Sequence, residues 1–130
     1  ANIALLSALL GAEDHVFSDE SNHASIIDGI RLGRATKYIF KHNDLHSLET
    51  ALIQTRATGA KFIIAESLFS MDGDFAPLGQ LVDLACEHNA HLIVDESHAT
   101  GIYGDFGRNL GGGLALEYGL RDRVLATVHT

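Results

Sequence analysis

The segment LIVDESHATG, Leu92 to Gly101, sets a carboxylate and an imidazole three positions apart at the end of an apolar run. Leu92, Ile93 and Val94 read as a strand buried on both faces, because a continuous β-branched run suits a parallel sheet covered by helices on each side. Open α/β sheets bind ligands outside the carboxyl ends of their strands, so Asp95 and His98 fall where such a fold keeps its chemistry. An acid and an imidazole held there can tune a cofactor, bind a metal or move a proton. The plain alternative is a strand-end acid capping a turn beside a satisfied histidine. DESH also imitates a DExH nucleotidase box, but that chemistry needs an upstream phosphate loop and no GxxxxGK[ST] is present. As a metal site, Asp95, His98 and Asp74 make a thin ligand set.

Three more segments carry polar residues at element ends. In ESLFSMDGDFAPL, Glu66 to Leu78, an apolar strand gives way to a turn with Ser70, Asp72, Gly73 and Asp74 before Pro77 opens a helix. The spacing of DGD does not match a calcium loop, and Ser70 lacks the GxSxG surroundings of a hydrolase nucleophile. In SNHASIIDG, Ser21 to Gly29, His23 falls at the mouth of a helix and reads in isolation as a capping residue. In KHNDLHSLE, Lys41 to Glu49, His42 and Asn43 follow a strand and read as part of a helix cap.

The elements that must position these residues alternate along the chain. Periodicity predicts a helix over 2–10, a strand over 14–18, a helix over roughly 23–33 and a strand over 36–40. A third helix, capped by Asn43 or Asp44, follows with Leu45, Leu48 and Leu52 on one face. Then come a strand from Lys61 to Glu66, a helix after Pro77, the LIVD strand, a glycine-rich loop over 101–113 and a last strand from Val124 to Val128. Strands alternating with helices predict a mostly parallel α/β sheet with flanking helices.

Composition narrows the possibilities. The 130 residues suit one domain, and 46% hydrophobic residues can fill a core. A net charge of -8 argues against a nucleic-acid partner, since phosphate binding needs a basic face. The single cysteine, Cys86, is expected on an apolar helix face, excludes a disulfide framework and points to a reducing, cytoplasmic compartment. No apolar run reaches membrane-spanning length, so no membrane partner is expected.

NHASIIDG, HND, SMDGDFAPL and VDESHATGIYG, in that order, together resemble the α-oxoamine synthases. These are pyridoxal-phosphate (PLP) enzymes with the aspartate-aminotransferase type of fold. The resemblance covers essentially the whole chain and implies the core of a PLP-binding large domain. It implies an acyltransferase that condenses an amino acid with an acyl thioester, carried by coenzyme A or a carrier protein, with loss of carbon dioxide. The HND and SMDGD-APL forms look most like the biotin-pathway branch, which uses alanine and a pimeloyl thioester; members with other substrates are less similar there. By the same resemblance Asp95 pairs with the pyridine nitrogen of the cofactor, and His98 hydrogen-bonds its phenolic oxygen. Ser70 sits near that oxygen or the substrate, and His23 stacks on the ring. Thr130 contacts the phosphate, while Gly101 and Gly104 allow a tight path past the ring. Active sites in the family form at a homodimer interface.

The match has departures. The family's Schiff-base lysine follows the threonine matched by Thr130, and Lys37, Lys41 and Lys61 lie in other elements. The phosphate-binding turn that precedes the first helix is missing as well, and Ser97 stands where alanine is more usual. The 130 residues are therefore expected to be a partial domain, inactive by itself and prone to self-association through open strand edges. A reading of another class is a non-catalytic module that keeps this fold without the lysine.

Overall fold

The computed structural model describes all residues except Ala57, 105–110 and Thr130. The elements are α1 (Asn2–Leu9), β1 (His15–Asp19), α2 (Ala24–Leu32), β2 (Thr36–Phe40), α3 (Leu45–Gln54), β3 (Lys61–Glu66), α4 (Leu78–Glu87), β4 (His91–Asp95), α5 (Leu114–Glu117) and β5 (Ala126–Val128). A 3-10 turn, Arg121–Arg123, precedes β5. The five strands form one sheet in the order β2-β1-β3-β4-β5, and every pairing is parallel. The predicted parallel α/β architecture is thus present.

Alternation along the strands divides the core in two, because successive side chains point to opposite faces. Phe17, Ile63, Ala65, Leu92 and Val94 pack with Leu48 and Leu52 of α3 and with Leu81, Val82 and Ala85 of α4. Val16, Phe62, Ile64, Ile93 and Val128 pack on the other face with Leu6 of α1 and with Ile26 and Ile30 of α2. Ile63, Ile64 and Ile93 are almost wholly buried. Each such side chain contributes about 1.5–3 kcal/mol relative to an exposed one.

Two glycines let α1 lie close on α2. A Cβ at Gly29 would come within 3.0 Å of the Asn2 carbonyl oxygen and of Leu6, and one at Gly33 would meet Leu10 at 2.7 Å. This approach carries the first residue of α1, Asn2, to the end of the sheet.

The chain runs from β1 outward to β2, then returns to place β3 on the other side of β1. The reversal is a topological switch point, the place where open α/β sheets form a crevice at the carboxyl ends of their strands. β1, β3 and β4 all end in acids, Asp19, Glu66 and Asp95, and all three are buried.

Two expectations are corrected, and one helix is added. Cys86 is exposed, because α4 buries Leu78, Leu81, Val82, Leu84 and Ala85, and position 86 has rotated past that stripe. The last strand begins at Ala126, not Val124, since the Arg121–Arg123 turn delays its entry into the sheet. Between the glycine-rich segment and that strand stands α5, which the sequence reading left unassigned. Its N-terminus is held by the buried carboxylate of Glu96, which accepts hydrogen bonds from the Leu114 N–H at 3.0 Å and the Ala115 N–H at 2.8 Å. Among the described residues no helix is long and apolar enough to cross a membrane.

Candidate functional site

β4 delivers Asp95 to the floor of a cavity of about 340 Å³, whose walls include Asn2, His23, Ser25, Ser97 and His98. The Asp95 side chain is fixed from three directions. Its Oδ1 accepts from the Ser97 N–H at 2.8 Å and the Ser97 hydroxyl at 2.5 Å, and its Oδ2 accepts from the Asn2 amide at 2.6 Å. The second hydrogen of that amide goes to Ser25 Oγ at 3.1 Å. Ser25 Oγ lies 2.9 Å from His23 Nδ1, which also accepts the Ser25 N–H at 3.1 Å. Because Nδ1 is an acceptor in this pattern, a neutral His23 ring carries its proton on Nε2. A continuous chain of hydrogen bonds therefore runs from Asp95 through Asn2 and Ser25 to His23.

His98 lies on the exposed rim, and among the described residues its ring makes no hydrogen bond. Ser70 is not part of the cavity wall. Its N–H donates to Glu66 Oε2 at 3.1 Å, and its hydroxyl is buried with no hydrogen-bond partner among the described residues. The structure thus brings Asp95, His98 and His23 together and leaves Ser70 behind them. Thr130 lies outside the described residues.

Glu66, the buried end of β3, stands beside Asp95 in the strand register. Its Oε1 accepts the His23 N–H at 2.5 Å, and its own N–H donates to Asn22 Oδ1 at 3.2 Å. Burial pushes the Glu66 carboxyl above the usual range, and the Asp95 charge adds to this. The N–H groups of Ser70 and His23 and the nearby His98 pull it partly back.

A second polar cluster fixes the SMDGD turn. His42 Nδ1 lies 2.9 Å from Asp19 Oδ1 and its Nε2 lies 2.7 Å from Asp74 Oδ2. Burial pulls this imidazole down, but the hydrogen bonds and charges of Asp19 and Asp74 outweigh it, and the net direction is upward. The Asn43 amide bonds Asp74 at 3.2 Å and the Phe75 carbonyl at 3.1 Å. Asp44 alone caps α3, accepting the Ser47 N–H at 3.0 Å. Asp74 therefore sits with His42, not with Asp95 and His98, and the three-residue metal set weighed from sequence does not assemble.

Asn2, Ser25 and Glu66 were not singled out by sequence reasoning. The available signal was the repeated pattern of apolar strand ending in acid, HVFSD, KFIIAE and HLIVD. Nothing local marks Asn2, whose role depends on the packing of α1.

The cavity suits a small aromatic cofactor. Its volume lies in the range of ligand pockets. A fixed carboxylate, an imidazole on one wall and a free imidazole on the rim fit the polar atoms of PLP. Lys37 and Lys41 belong to β2 and its exit, and Lys61 begins β3 at the opposite end of the sheet, so none of them lines the cavity.

Residues 1–128 match the model of the family described as aminotransferase class I and II. The chain is 45% identical over 130 residues to 8-amino-7-oxononanoate synthase of Lysinibacillus sphaericus, covering 100% of this chain and 32% of that protein. It is 46% identical over 129 residues to the same enzyme of Exiguobacterium sibiricum, with 99% and 32% covered. Among solved structures, a serine palmitoyltransferase variant from S. paucimobilis with bound PLP superposes with a TM-score of 0.90 at 36% identity, covering 99% of this chain and 31% of that one. The 8-amino-7-oxononanoate synthase of Francisella tularensis gives 0.73 at 33% identity, with 92% and 32% covered. The chain thus spans about a third of the length of these relatives. The fold and these matches together show that the chain belongs to the class I and II aminotransferase family.

Proposed function

We propose that the protein carrying this chain is a PLP-dependent acyltransferase, 8-amino-7-oxononanoate synthase. It would join alanine to a pimeloyl thioester, with release of carbon dioxide and of coenzyme A or a carrier protein. The observation that carries the reading is the Asp95–Asn2–Ser25–His23 chain of hydrogen bonds around a cavity at the carboxyl ends of a parallel sheet. The names of the relatives support the choice within the family.

When bound, PLP supplies an electron sink for the negative charge that forms at the α-carbon of the amino acid. Asp95 would hold the proton of the pyridine nitrogen, and its three donors keep the carboxylate from rotating away. His23 would wall the ring, with its Nδ1 engaged by Ser25. His98, free on the rim, would hydrogen-bond the phenolic oxygen and help position the reacting groups. Ser70, with its unpartnered hydroxyl, would serve the same region, and Thr130 would contact the phosphate. The same reading makes the full protein a cytoplasmic homodimer.

The test is an assay of the full protein with PLP, alanine and pimeloyl-coenzyme A. Equal release of coenzyme A and carbon dioxide is expected. Turnover with glycine or serine but not alanine would move the protein to another α-oxoamine synthase. No turnover with any amino acid and acyl thioester would contradict the acyltransferase reading.

A further inference from the structure

Glu66 does not line the cavity, yet one carboxylate holds both His23, which does, and the turn that follows β3. Oε1 takes the N–H of His23, the residue that caps α2 and walls the cavity, and Oε2 takes the N–H of Ser70 in the following turn. Glu66 is 1% exposed, so the carboxylate that takes both bonds is itself buried. Its own backbone N–H is taken by Asn22, whose amide donates to Ser18 Oγ at 2.9 Å and to the Ile64 carbonyl at 2.8 Å. The ends of β1, β3 and α2 are thereby tied at a single point.

We propose that Glu66 is a positioning residue of the cofactor site: its buried carboxylate sets the distance between the His23 wall and the Ser70 turn without touching the ligand. The proposal rests on the PLP reading above for its ligand. A carboxylate is needed because both contacts come from N–H donors. A carboxamide offers one acceptor oxygen and turns an N–H toward the other donor. Glu66→Gln therefore keeps the volume and loses one of the two tethers.

Asp14 supplies a matched comparison. It also accepts two backbone N–H groups, from Gly11 at 2.8 Å and Ala60 at 3.0 Å, but at the opposite end of the sheet. The experiment measures PLP affinity by absorbance titration of the full protein, wild type, Glu66→Gln and Asp14→Asn, alongside denaturant unfolding. Glu66→Gln is expected to bind PLP about tenfold more weakly, the order expected when a supporting residue is lost. Asp14→Asn is expected to lose stability and bind as wild type does. Equal affinity in all three proteins, or an equal loss in both variants, would overturn the proposal. Should Glu66→Gln not fold, amide hydrogen exchange of the wild type decides: the His23 and Ser70 N–H groups should be protected and open together. Free exchange at either would overturn the proposal. The exchange measurement needs no PLP, so a wild type that fails to bind PLP would contradict the functional reading while leaving Glu66 testable.

Discussion

Asn2 and Asp95 lie 93 residues apart and share a buried hydrogen bond of 2.6 Å. One hydrogen of the Asn2 amide holds Asp95 and the other holds Ser25, so a residue at the start of α1 orders two walls of the cavity. The close packing of α1 on Gly29 makes this reach possible.

Replacing Asn2 with alanine removes both donors. It leaves Asp95 Oδ2 without its protein partner, and a loss of about 1–3 kcal/mol in denaturant unfolding is expected. Asn2→Asp should be worse than Asn2→Ala, because it places a second carboxylate against Asp95. Equal stability of the two variants would show that charge at this contact is unimportant.

Asp95→Asn keeps the size of the side chain and removes its charge. On the proposed activity of the full protein, kcat should fall by roughly a hundredfold or more, as when a charge aligned to the reacting system is lost. Unfolding should change far less. A variant with near-normal kcat would remove Asp95 from the chemistry.

Ser97→Ala keeps the backbone N–H bond to Asp95 and deletes only the hydroxyl contact at 2.5 Å. A loss of about 0.5–1.5 kcal/mol is expected, somewhat more if a charge-assisted bond is broken. Since Asn2 and the Ser97 N–H still hold the carboxylate, activity should fall less than in Asn2→Ala. The comparison of kcat/KM between these two variants checks the ranking.

The His42 contacts make stability depend on pH. Its folded pKa is raised above 6.5 by Asp19 and Asp74 against the opposing effect of burial. The unfolded chain releases this proton first as pH rises. The stabilisation is therefore complete below pH 6.5 and is lost as pH climbs through the folded value. Denaturant unfolding from pH 6 to 9 should show a decline that His42→Gln lacks. Glu66, raised above 4.5 chiefly by burial, acts with the same sign at lower pH, favouring the fold below that value and less above it.

Much of this site was legible before the fold was known. The LIVD run identified β4 and placed Asp95 at its carboxyl end, because an apolar strand in a covered parallel sheet has few other readings. His23 was placed at the mouth of α2 by the helix-capping pattern of SNHASIIDG, and its place beside a cofactor came only from the family resemblance. The contacts of Asn2, Glu66 and Asp74 could not be read this way. Each depends on elements far apart in sequence meeting at the strand ends, and their local surroundings suggest only a helix residue, a strand end and a turn. Cys86 shows the limit of helical periodicity: a shift of one position, about 100°, separates the buried Ala85 from an exposed neighbour.

The central claim is that the cavity of Asp95, His23 and His98 is a PLP site. Its most direct test is intact mass of the full protein after incubation with PLP and borohydride reduction, for the wild type and Asp95→Ala. One reduced cofactor per wild-type chain, and a much smaller fraction in Asp95→Ala at the same PLP concentration, is the predicted result. No adduct on the wild type, or equal adduct on both proteins, would contradict the account.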